Sequence, residues 1–186
     1  MNELSEGQKA PQFTANDQNG KSVSLSNFAG KSIILYFYPK DDTPGCTAQA
    51  CNLNENLSQL QANGFVVIGV SADSNKAHVK FKQKYNLSFS LLSDPEHLIL
   101  NAYGVWVEKS MYGKSYMGIA RTTFIIDEKG YILLFLPILV LPTILTWFCI
   151  SEFSSISTFG PIKEKAPIFT LAEIFALESI IAVLCI

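Results

Sequence analysis

Basic residues are scarce and unclustered. Fourteen Lys and Arg stand against 16 Asp and Glu, a net charge of −2, and no basic face offers itself to nucleic acid. Cysteine is sparser still: four residues in 186 cannot staple a disulfide-built scaffold. Only two histidines exist, His78 and His97, and neither shows metal-ligand spacing with a cysteine pair, which argues against a zinc site. There is no internal repeat and no low-complexity tract. The opening MNELSEGQKAPQFTA has no basic patch followed by an apolar stretch. No signal peptide is therefore expected, and a cytoplasmic location is, where unpaired thiols stay reduced. What the chain does have is apolar content, 48% of its residues. That excludes a disordered or collagen-like chain, and the length suits about one domain.

The apolar residues are unevenly spread. After Gly130, 36 of 56 residues are apolar, against 53 of 130 before it, and the later stretch carries two Lys and four Glu. The boundary suggests a body over 1–136 and an atypical apolar tail over 137–186. Residues 131–150 (YILLFLPILVLPTILTWFCI) run 20 positions without a formal charge, long enough to span a bilayer. A buried strand followed by a loop is the alternative. Thr170-Leu-Ala-Glu173 has the form of a capping box opening a helix to about Leu184. A membrane segment, a replacement terminal helix and a frameshifted or fused reading frame all remain open for this tail. Cys149 and Cys185, which lie in it, read as incidental apolar residues.

In the body, strands and helices alternate. Asp17-Gln18-Asn19-Gly20 marks a hairpin turn within Gln12–Leu25. Ile33–Tyr38 is a buried-strand run ended by Pro39, and Phe65–Ser71 is another. A helix is predicted from about Thr47 to Gln61, closed by Asn63-Gly64. A second is predicted over 75–85, with Ala77, Phe81 and Tyr85 on one stripe. Phe89–Leu92 is strand-like, and Asp94-Pro95 is placed as N-cap and N1 of a helix toward Tyr103. Thr122–Ile126 is a strand, and Asp127–Gly130 turns the chain into Tyr131–Leu136. Tyr103 and Trp106 are expected in the core. Such alternation implies an α/β fold around a mixed sheet.

The chemistry concentrates in YPKDDTPGCTAQAC, residues 38–51. A strand ends at Pro39, a loop crosses Asp41–Gly45, and Cys46 falls in the first turn of a helix. There, free N–H groups and a partial positive charge face the sulfur and favour a thiolate, the nucleophilic form. Thr43 can turn its hydroxyl toward the same place, to donate to sulfur or accept from a substrate. Cys51 lies five residues further along the helix. Helix geometry separates the two Cα atoms by roughly 8.7 Å, beyond the ~7 Å that disulfides bridge. Either the two never bond, or the first turns unwind when they do; the second is expected here.

The string PKDDTPGCTAQAC, with GVSADS (69–74), LLSDPEH (91–97) and YGVWVEKSMYGKSYMGIARTTFIID (103–127), resembles the peroxiredoxin motif PxxxTxxC. The five-residue step to the second cysteine is similar to the bacterioferritin-comigratory or Q subfamily. The resemblance covers about residues 1–130 and implies a thioredoxin-like fold and a thiol peroxidase acting on hydrogen peroxide and organic hydroperoxides. It makes Cys46 the peroxidatic cysteine, has Pro39 and Thr43 shape the pocket, and makes Arg121 the distant cationic partner. Cys46 sulfenic acid would condense with Cys51 to a disulfide that thioredoxin or a similar dithiol reduces. The resemblance calls for no cofactor and no metal, and for a monomer. Gln49, one turn after Cys46, is a candidate to polarise Arg121. Membrane contact through the tail stays open.

Two other readings compete. One is a redox-inactive membrane or interaction protein with a degenerate thioredoxin-like body. The other is a dithiol oxidoreductase, but those use C-x-x-C, whereas four residues separate Cys46 from Cys51.

Overall fold

The computed structural model describes residues 4–111 and 113–137. A seven-stranded mixed sheet organises them, in the order β2-β1-β5-β4-β3-β8-β9. Three central strands run parallel: β3 (Ser32–Phe37), β4 (Phe65–Ser71) and β5 (Ser90–Ser93). The hairpin β1 (Thr14–Asp17) and β2 (Ser22–Ser24) adds antiparallel to β5, while β8 (Thr122–Ile126) and β9 (Ile132–Pro137) add antiparallel beside β3. The crossover from β3 to β4 carries α1 (Pro44–Glu55) and α2 (Leu57–Ala62), and that from β4 to β5 carries α3 (Asn75–Tyr85). After α4 (Leu98–Ala102), a separate hairpin forms from β6 (Trp106–Met111) and β7 (Lys114–Ile119). The α/β class and mixed sheet expected from the sequence are those observed.

The central strand β3 is buried on both faces, as a parallel sheet covered by helices requires. Ile33, Leu35 and Phe37 look into one core with Ile68, Val70, Phe124 and Ile126. Ile34, Tyr36 and Tyr38 look the other way, toward the helices, where Tyr38 meets Phe81 of α3 at a ring separation of 6.3 Å. Tyr36 lies across Gly69 of β4: a Cβ there would stand 2.8 Å from its ring and 2.7 Å from Leu91. Glycine is needed at that crossing because any side chain would displace a core aromatic.

Several predicted boundaries move. The single helix from Thr47 to Gln61 starts earlier, at Pro44, and breaks in two at Asn56. Asn56 turns its amide back onto Asn52, bonding its carbonyl and its side chain, which competes with the helical ladder. The helix placed from Asp94 begins only at Leu98, after His97 adopts a left-handed conformation (φ 57). Asp94 still caps it, from outside, by accepting the Leu98 and Leu100 amides at 2.9 Å each. The β6–β7 hairpin was not anticipated. Tyr103 is buried as expected, but Trp106 is only partly so and stacks on His97.

At the seam, Ile132–Pro137 pair with β8 as a strand, so the first part of the uncharged 131–150 run is sheet and not a membrane helix. The remainder of that run, the helix predicted from Thr170, Cys149 and Cys185 lie outside the described residues. Among the described residues, no helix is long and apolar enough to cross a membrane.

Candidate active site

Strand β3 delivers the chain to the carboxyl edge of the sheet, where Pro39, exposed in a bend, ends the ladder for want of an N–H. The loop then passes Asp41 and Asp42 to Thr43, the extended N-cap of α1. Pro44, Gly45 and Cys46 form the first helical turn. The first helical hydrogen bond runs from Thr47 N to Thr43 O at 2.8 Å, so the Gly45 and Cys46 amides precede the ladder. No side chain caps them. They direct their partial positive charge to where the Cys46 sulfur sits.

Arg121 closes the site from the other side of the sequence. It lies between β7 and β8, its neighbours pinned by Ala120 N to Val105 O at 2.7 Å and by the Thr122 hydroxyl to Ala120 O at 3.2 Å. Its Nη2 donates to Cys46 Sγ at 3.1 Å, and its Nη1 donates to Gln49 Oε1 at 2.7 Å and to Gly45 O at 3.3 Å. The guanidinium fork is thus held by helix α1 in two directions while one amine faces sulfur, a geometry lysine could not reproduce. Gly45 is part of the fit: a Cβ there would meet Nη2 at 3.3 Å. Gln49 is buried with its amide nitrogen unpartnered among the described residues. Cys46 is 1% exposed and Cys51 is half-buried on the same uninterrupted helix; both thiols are free.

Of the residues singled out from the sequence, Cys46, Arg121 and Gln49 come together. Thr43 is adjacent, but its hydroxyl donates to Lys40 O at 3.1 Å; as N-cap it closes its own loop and does not reach sulfur. Cys51 stands further along α1, consistent with the separation that helix geometry imposes.

Sequence reasoning missed Gly45, and it set His78 aside as a non-ligand. His78 is fully buried, with Nδ1 2.8 Å from Asp41 Oδ2 and Nε2 3.2 Å from Leu92 O. Asp41 also accepts from the Tyr38 hydroxyl at 2.7 Å. Burial drives the Tyr38 hydroxyl well above its ordinary range, with the charge of the Asp41 carboxylate and the bond to it acting the same way. The signal for this network was present in KDD, a carboxylate pair directly before the cysteine loop. Lys109 of β6 is a further cation near the site. Burial and then Arg121 hold it below the usual lysine range, partly opposed by Cys46.

Comparisons with known proteins give the chain a family and a fold. Residues 6–134 match the AhpC/TSA family. The putative peroxiredoxin bcp of Coxiella burnetii is 57% identical over 126 residues, 68% of this chain and 83% of that protein. Peroxiredoxin Bcp of Bacillus subtilis is 50% identical over 124 residues, covering 67% and 79%. Among solved structures, a peroxiredoxin Q of Xanthomonas campestris superposes with a TM-score of 0.65 at 31% identity, over 78% of this chain and 89% of that one. A Xylella fastidiosa PrxQ variant gives 0.71 at 27% identity, over 84% and 99%. The chain belongs to the AhpC/TSA family; it is a peroxiredoxin of the Bcp or Q type, a thiol peroxidase on a thioredoxin-like fold.

Proposed function

We propose that this peroxiredoxin reduces hydrogen peroxide and organic hydroperoxides at Cys46, resolves the product with Cys51 and is recycled by thioredoxin or a similar dithiol. The observation that carries the reading is the Arg121 fork on Cys46 Sγ, backed by Gln49. The Cys46 thiolate attacks one peroxide oxygen, the O–O bond breaks, and the departing oxygen leaves with the electron pair and takes a proton as an alcohol or water. Charge grows on that oxygen as the bond breaks, and preorganised donors in a dry site stabilise it most. The Arg121 guanidinium and the first-turn amides of α1 are such donors. Pro39 and Thr43 shape the approach: one stops the strand, and the other sets the loop through its bond to Lys40 O.

Cys46 sulfenic acid then condenses with the Cys51 thiol, forming the disulfide and releasing one water. Because both lie on α1, the helix must unwind between them first. An external dithiol attacks the disulfide and restores both thiols. The protein acts as a monomer in the cytoplasm and needs neither cofactor nor metal.

A peroxide-dependent thioredoxin oxidation assay tests this. Cys46→Ser is expected to abolish peroxide consumption, and Cys51→Ser to leave one turnover and block recycling. Equal turnover by the Cys46→Ser variant overturns the assignment. Far-UV circular dichroism and amide exchange unchanged between the reduced and the Cys46–Cys51-linked protein would overturn the unwinding.

A further inference from the structure

The helix that carries both cysteines is tied at each end to α3 and the loops flanking it. Before α1, the Asp41 carboxylate meets His78 at 2.8 Å, and the Asp41 amide donates to Asp73 Oδ2 at 2.8 Å. The next residue, Asp42, accepts from Lys84 Nζ at 2.7 Å and from the Tyr85 hydroxyl at 2.5 Å. Toward the end of α1, the Asn54 amide donates to Asn86 O at 3.1 Å and its oxygen accepts the Ser88 amide at 2.8 Å. Cys46 and Cys51 lie between these ties.

The buried tie is complete in its protons. Leu92 O can only accept, so His78 Nε2 carries hydrogen. Tyr38 donates to the other carboxylate oxygen. One proton is left between Nδ1 and Oδ2, and the bond holds whichever partner carries it. Breaking such a pair leaves a buried polar group unpaired, so this is the strong end of the set. Asp42 and Lys84, exposed to solvent, form a weaker one.

We propose that these ties are a clamp that governs how readily the cysteine-bearing turns of α1 unwind, with Asp41 and His78 as its main positioning residues for the resolving step. The inference rests on the Cys46–Cys51 disulfide proposed above. Ends held fixed at residues 42 and 54 limit the conformations that a released segment can explore. They thereby reduce the entropy gained on unwinding. Cys46 sulfenic acid stays folded against Arg121 for longer, where a second peroxide can oxidise it to sulfinic acid before Cys51 arrives. None of the clamp residues bonds to Sγ, Arg121 or Gln49, so the clamp acts on resolution and leaves the peroxide step alone. Loosening it speeds disulfide formation and lowers sulfinic yield.

Rapid mixing of the full chain with hydrogen peroxide separates the two steps, and mass spectrometry at excess peroxide reports the sulfinic fraction. His78→Asn is expected to accelerate disulfide formation about tenfold and Asp42→Asn about two- to threefold, with the first-phase constant within about twofold of the unmodified protein. Asp42 is exposed and sits at φ 57, which asparagine adopts readily, so this variant folds even if the buried one does not. Disulfide formation no faster than normal in Asp42→Asn, and in the His78 variant if it folds, overturns the clamp. An unmodified protein that forms no Cys46–Cys51 disulfide overturns the underlying reading instead, and is recognised before any variant is made.

Discussion

The two faces of the central sheet are built differently. On one, Ile33, Leu35, Phe37, Ile68, Val70, Phe124 and Ile126 pack with α4 and the segments before β1, and among the described residues of that cluster Tyr103 alone brings a hydroxyl, donated to Pro11 O at 3.0 Å. On the other, beneath α1 and α3, tyrosines, Asp41, His78, Gln49 and Thr123 are buried among the hydrocarbon side chains. Tyr36 and Thr123, opposite each other on β3 and β8, keep unpartnered hydroxyls among the described residues. Burial pushes the Tyr36 hydroxyl well up, with Asp41 and Cys46 adding and Arg121 opposing. An apolar face is held by packing and gives way only when the whole domain does. A face held by directed polar contacts can release one segment while the rest stands. The cysteine helix sits on the second kind of face, as a site that must open and reclose would require.

Substitutions on the two faces should therefore fail in different ways. The largest effect belongs to the apolar face: Leu35→Ala, at a fully buried position, is expected to lower unfolding stability by about 2–5 kcal/mol. Denaturant titration would show it, with the peroxide rate constant of the folded protein little changed. On the polar face, Arg121→Met should leave the unfolding midpoint nearly in place and reduce the peroxide rate constant by ~10²-fold, the usual cost of one preorganised donor. Were stability to fall as much as in Leu35→Ala, Arg121 would be a structural residue and the contrast would fail. Gln49→Ala should cost about three- to tenfold in the same rate, because it only orients the guanidinium.

The smallest effect is one of pH. Hydrogen bonds from Lys84 and Tyr85 hold the Asp42 carboxyl below the ordinary carboxylate range. Its contribution is then fully present above that range and lost as pH falls through the lowered value. Lys84, held above its ordinary range by Asp42, sets the alkaline limit with the opposite sign. Protection factors of the amides in the loop before α1, corrected for the intrinsic exchange rate at each pH, should fall on acidification in the unmodified protein and change less in Asp42→Asn.

Local chemistry made much of the fold readable in advance. Phe65–Ser71, the helix over 75–85 and Thr122–Ile126 appear with the predicted limits, because long apolar runs and a clear helical stripe leave little choice of period. The break at Asn56 and the late start of α4 were not readable. Both depend on side chains, Asn56 and Asp94, whose bonds to backbone groups four residues away compete with the helical ladder. The hairpin over 106–119 escaped because its exposed positions, among them Tyr116 and Met117, carry no clean alternation.

At the site, residues 38–51 marked Cys46 as the candidate nucleophile, since the first turn of a helix after a strand turns free amides toward its sulfur. The place of Arg121 was suggested by resemblance alone. That its fork is shared among Sγ46, Gln49 and Gly45 needed the β3–β8 pairing, which brings residues 75 positions apart within 3.1 Å. His78 shows the limit most plainly: as a letter in a helix it is one of two histidines without ligand spacing. Periodicity and spacing are properties of the chain itself, so they already determine β4, α3, β8 and the place of Cys46 in the first turn of a helix. Which charge meets which across the sheet is a matter of through-space distance, so the Arg121 contact and the Asp41–His78 tie were decided only when the chain closed on itself.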